Sequence, residues 1–164
     1  MAAITDLATL AHNDLAAGDW LVVHDLSAAT DKKMAAFAEA SWTPTITFGG
    51  ASTGITYGTQ GAFYVRIGPL LFLRGRIVLT AKGSATGSAA IGGLPFTVGD
   101  TYGHGLRVNY FANMASIVDG MFALMSSSSA VASLFMGNAE TAVALTNANF
   151  TNTSRLDFAG VLEL

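Results

Sequence analysis

The chain has 164 residues, 51% of them hydrophobic and only 12% charged, with eight Lys and Arg against eleven Asp and Glu and a formal charge of -3. That length suits one core or a small module with one domain and excludes a multidomain enzyme, while so apolar a composition at so low a charge excludes intrinsic disorder. An acidic balance leaves no cationic surplus for a phosphate backbone, so nucleic acid is not an expected ligand, and the absence of cysteine excludes disulfides, thiolate nucleophiles and sulfur-bound zinc.

At the start, residues 1–17 lack a basic region and carry Asp6, His12, Asn13 and Asp14 where a secretion signal would be apolar. Leu7, Leu10, Ala11 and Leu15 follow helical spacing, with Thr5 placed to cap and Gly18 to stop, which predicts a helix over 5–17. Residues 20–24 form a short apolar run of strand length and 27–31 a turn. Lys32, Lys33 and Met34 then lead into an alanine-rich stretch at 35–40, which predicts a second helix. The expectation for 1–40 is a small mixed α/β unit.

At Ser41 the texture changes, because Trp42, Pro44, Ile46 and Phe48 alternate with Thr43, Thr45 and Thr47 at the period of a half-buried strand. Strands are predicted over 55–60 and 63–67 about a Gly61-Ala62 hairpin, then over 70–80 after a Gly68-Pro69 turn. On that last strand Leu71, Leu73, Ile77 and Leu79 share one face, and Phe72, Arg74, Arg76 and Val78 the other. Further strands are predicted at 89–91, 106–111, 117–125, 130–136, 141–145 and 156–164. Many short strands with Gly-rich turns predict a mainly β domain over 41–164, an antiparallel β-sandwich or jelly-roll-like module. The charge-free stretch 120–139 has bilayer-spanning length, but Ser126 to Ser129 split it and no cation flanks it, so it reads as two strands about a serine turn and no membrane insertion is expected.

No constellation of side chains points to catalysis. Gly50-Ala51-Ser52-Thr53-Gly54 fits a nucleophile-elbow pattern, yet a strand follows it where a helix is required, so it reads as a hairpin loop. His12, His24 and His104 lack metal-pair spacing. Asp100, Asp119, Glu140, Asp157 and Glu163 are scattered singly, and the two Asn-x-Ser/Thr matches at 149–154 read as a turn. Asp100, Tyr102 and His104, on one Gly-rich loop, form a candidate ligand site. No cofactor, no metal and no enzymatic activity are expected. With so few charges, part of the apolar surface is expected to face another subunit.

The stretch 42–49, then Tyr57, Gln60, Tyr64 and Arg66-Ile67-Gly68, then Gly92-Gly93-Leu94-Pro95-Phe96 and the ending 155–160, resembles in content and order the β modules of tailed-phage fibre, spike and head-projection proteins. Upstream, Asp25-Leu26-Ser27 followed by Asp31-Lys32-Lys33-Met34 is similar to a segment near the start of many phage virion proteins. The resemblance implies a non-catalytic homotrimeric virion protein, either a fibre or spike or a capsid decoration, whose small first unit, with Asp31, Lys32 and Lys33, attaches it to other virion proteins. Host-surface glycan is a candidate partner, and a free jelly-roll lectin using Tyr102, His104 and Asn109 is the alternative. The strand face bearing Phe72, Arg74, Arg76 and Val78 is the candidate trimer interface, where each arginine is expected to find a partner across the axis.

Overall fold

Alternating β-branched, aromatic and polar residues build strands almost throughout the computed structural model, which describes residues 20–25, 30–35, 39–99, 104–137 and 141–164. The chain divides into two compact units, Met1–Ala38 and Glu39–Leu164. In the first, β1 (Trp20–Asp25) pairs antiparallel with β2 (Thr30–Ala35), setting Val22 opposite Lys33, Val23 opposite Lys32 and His24 opposite Asp31. Asp31, Lys32 and Lys33 are therefore strand residues. Alanine's helical preference is worth only tenths of a kcal/mol per residue, and at Ala35, the first residue of the expected second helix, pairing with Trp20 overrides it. The helix expected over 5–17 and residues 26–29 and 36–38 lie outside the described residues.

In the second unit β3 (Ala40–Trp42) and β4 (Thr45–Phe48) are followed by β5 (Ile55–Ile67), β6 (Leu70–Lys82), β7 (Ala89–Gly92) and β8 (His104–Met114). Then come β9 (Met121–Met125), β10 (Ala132–Gly137), β11 (Ala142–Ala144), a single 3-10 turn at Asn147–Asn149 and β12 (Phe150–Glu163). All pairings are antiparallel and run β3-β5-β6-β12-β8-β9-β10-β7-β4, with β11 alongside β10. The expected mainly antiparallel β module thus takes the form of one sheet curled on itself. Its two edges belong to one extended segment, divided at Thr43-Pro44, whose first part pairs with β5 and whose second pairs with β7.

Inside lie Ile46, Phe48, Leu71, Leu73, Ile77, Leu79, Ile91, Leu106, Met125, Leu134, Phe150, Leu156 and Phe158, all buried. The predicted inner face of β6 is confirmed residue by residue. Two side chains of β5 fasten the seam between the sheet edges. Tyr57 Oη accepts the Ile46 N–H at 3.0 Å, and Gln60 Nε2 donates to the Pro44 carbonyl at 2.9 Å. Tyr57→Phe leaves a half-buried backbone N–H without its acceptor, and we expect a loss of about 1 kcal/mol in chemical denaturation.

Three local expectations are corrected. Gly61-Ala62 is not a hairpin, because β5 runs unbroken through it: Ala62 is buried and paired on both sides, with Trp42 and Gly75. The hairpin is at Gly68-Pro69, where φ of +58° at the glycine followed by proline suits the twist of the flanking strands. The loop holding Ser52 is a hairpin only at its start, where Phe48 and Ala51 exchange backbone hydrogen bonds of 2.8 and 3.1 Å across Gly49-Gly50; β4 and β5 do not pair with each other, and the rest of the loop carries the chain from one edge region to the other. Finally, residues 150–154, expected as a turn, begin β12 through a bulge against β8. There the Ser154 and Thr151 hydroxyls donate to the Asn113 carbonyl at 2.9 and 2.7 Å.

Candidate subunit interface

Because successive strand residues face opposite sides, burying Leu71, Leu73, Ile77 and Leu79 turns Leu70, Phe72, Arg74, Arg76 and Val78 outward. Register builds a wall around them. Phe72 lies between Val65 of β5 and Val161 of β12, Leu70 between Ile67 and Glu163, Arg74 between Phe63 and Ala159, Arg76 between Gly61 and Asp157, and Val78 between Thr59 and Arg155.

The hairpin end of this wall is apolar. Phe63, Ile67, Leu70, Phe72 and Val161 are each at least 41% exposed, and adjacency makes them one patch rather than scattered surface residues. Beside them a shallow hollow of about 530 Å³ is lined by Phe63, Phe72, Arg74, Arg107 and Asn109 over a floor of Ala159 and Gly160.

The other end is charged. Arg76 forks onto the Asp157 carboxylate with two bonds of 2.8 Å, and Arg155 reaches the same carboxylate from its own strand at 3.1 and 2.7 Å. Arg155 also lies 4.7 Å from the centre of the Tyr110 ring. Hydrogen bonding from Arg155, against an opposing contribution from burial, and then from Arg76, holds the Asp157 carboxyl down at about 2. A carboxyl lowered below its unfolded value near 4 stabilises the fold fully above pH ~4, and that stability is lost as pH falls through about 2. After solvent screening we expect about 1–2 kcal/mol from this group. Comparing thermal unfolding of the wild type and Asp157→Asn at pH 6 and pH 2 checks it: the gap between them should close at the lower pH.

Arg74 pairs with Glu39 at 3.1 Å and stands 5.4 Å from the Phe63 ring centre. Arg74 and Arg76 thus each have a carboxylate partner within the chain, while both side chains stay exposed on the wall. Arg107, exposed on β8 and in register with Ala159, forms no ion pair among the described residues. Of the expected ligand loop, Asp100 and Tyr102 lie outside the described residues. His104 opens β8, and its Nδ1 accepts the Glu163 N–H at 3.5 Å. Ser52 is an exposed loop residue whose carbonyl accepts the Ile55 N–H at 3.1 Å.

No protein-family model matches the chain, and no curated protein matches it. Among solved structures, the Dettilon tailspike protein (gp208) superposes on 77% of this chain with a TM-score of 0.66 at 14% identity. The likeness is one of fold. The chain spans about a quarter of that protein's length, 24% of it. No helix among the described residues is long and apolar enough to cross a membrane.

Proposed function

We propose that this chain is a structural, non-catalytic protein of a tailed-phage virion, and that its Glu39–Leu164 unit projects from the particle as a homotrimer packed through the wall of β5, β6, β12 and β8. The observation that carries the proposal is the contiguous apolar patch of Phe63, Ile67, Leu70, Phe72 and Val161, exposed on one chain and too large an apolar surface to be left in water by a protein with so few charges. The shared fold with a tailspike module supports the virion setting. In this reading the unit containing the β1-β2 hairpin, with Asp31, Lys32 and Lys33, attaches the assembly to other virion proteins.

Light scattering on the purified chain should return three times the 16.9 kDa of one copy. Labelling in purified particles should locate the protein on head or tail. A monomeric mass ends the trimer, and glycan binding without incorporation into particles would replace the virion reading with a free lectin.

A further inference from the structure

The wall has a hollow and a cation, and the same unit carries an exposed loop of matching chemistry. Between β8 and β9, residues 115–120 form a loop tied down at both ends. The Ala115 N–H donates to the Asn149 carbonyl at 2.9 Å and the Ala115 carbonyl accepts from Asn149 Nδ2 at 3.3 Å, while the Gly120 carbonyl accepts the Gly137 N–H at 3.2 Å. Ser116, at φ +55°, is in the left-handed conformation of a turn. At the tip Val118 is 80% exposed, the highest value among the exposed large hydrophobic residues, and the neighbouring Asp119 is exposed and forms no ion pair among the described residues. An apolar tip beside an unmatched carboxylate faces solvent on a loop whose anchored ends limit the entropy lost on docking.

The hollow offers the complement. Its floor at Ala159 and Gly160 has almost no side chain, its apolar side is Phe63, Phe72 and Val161, and its rim carries Arg107, likewise without an ion pair among the described residues. A ring of identical subunits requires each copy to present two different, matching surfaces. We infer that the hollow is occupied by the 115–120 loop of a second copy, Val118 entering between Phe63, Phe72 and Val161 and the Asp119 carboxylate meeting the Arg107 guanidinium. This rests on the assembly proposed above and names the surface that fills its interface. The charge pair sets direction, since only the loop of one copy against the hollow of the next brings opposite charges together.

The test uses the full chain and light scattering, with circular dichroism to verify folding; Val118 and Asp119 are exposed, so their replacement leaves the subunit core untouched. Asp119→Arg and Val118→Asp should each raise the concentration at which trimers dissociate by at least about tenfold. Adding Arg107→Asp to Asp119→Arg should restore trimers. Mixing Phe72→Asp, which keeps its loop, with Asp119→Arg, which keeps its hollow, should give particles of two chains, because one intact contact remains. Trimers that persist in both loop variants while Phe72→Asp abolishes them overturn this inference and leave the interface on the wall. A monomeric wild type overturns both.

Discussion

In the trimer proposed above, Phe72→Asp should leave folded monomers. Phe72 points away from the core, at the centre of the apolar patch between Val65 and Val161, and is 43% exposed in a single chain. Its replacement removes no core contact, and an outward substitution of this kind costs the subunit itself only about 0.5 kcal/mol. Across a closed interface the same carboxylate would be stripped of water without a cation, a penalty of several kcal/mol, roughly 3–5, for each contact. Light scattering with circular dichroism separates the two effects. Val78→Asp is the internal comparison: Val78 is half-buried at the charged end with Arg155 as its register neighbour, so a carboxylate there has a guanidinium nearby and should weaken assembly less. A trimer indifferent to Phe72→Asp would move the interface to another face, such as the outer side of β9 and β10 where Leu124 is exposed.

The second large effect lies on the opposite face of the same strand. Gly75 interrupts the inward run between Leu73 and Ile77, paired with Ala62 on one side and Phe158 on the other. A Cβ there would overlap the Phe158 ring and come within 2.7 Å of the Ala62 Cβ. The ring cannot retreat freely, because it packs against Trp42 with centroids 6.1 Å apart. Gly75→Val should therefore cost about 3 kcal/mol or more through overpacking, a fall of roughly 10 °C in Tm. Calorimetry checks it, and an unchanged Tm would mean that Gly75 does not face the core. The substitution leaves the outward patch intact, so any trimers that survive should still resist dilution.

What could be read in advance was whatever depends on near neighbours. Alternation along β6 assigns Leu71, Leu73, Ile77 and Leu79 inward and Phe72, Arg74, Arg76 and Val78 outward, because the period of two is local chain geometry. Pairing is not local. Asp157 stands 81 residues from Arg76 in sequence and Glu39 stands 35 from Arg74, so nothing in the pattern reveals that both guanidiniums are matched inside the chain. For the same reason Arg107, Phe63 and Val161 escape notice as members of the wall: Phe63 joins it through the register of β5 with β6, and Val161 and Arg107 through that of β12 with β6 and β8. Gly61-Ala62 misleads because its turn signal is judged without the strands that clamp it on both sides. Ala35 misleads because alanines downstream suggest a helix where β1 supplies a partner.

The position of β12 bears on how the protein is made. It is the last strand of its unit in chain order, yet it lies between β6 and β8 and joins the two halves of the sheet. While the ribosome is still adding residues up to about Phe150, the halves carrying Leu71 and Leu79 on one side and Leu106 and Met125 on the other are bridged only at their far edges, by the β3–β4 segment, and the β6 and β8 edges stay unpaired with each other. Their apolar inner surfaces stay open to water and to other nascent chains. The ladders on either side of β12 cannot form until that strand has been made. The unit must wait for its final segment and then thread that segment between two waiting edges, a slow, long-range closure that favours moderate expression rates and low temperature for soluble yield.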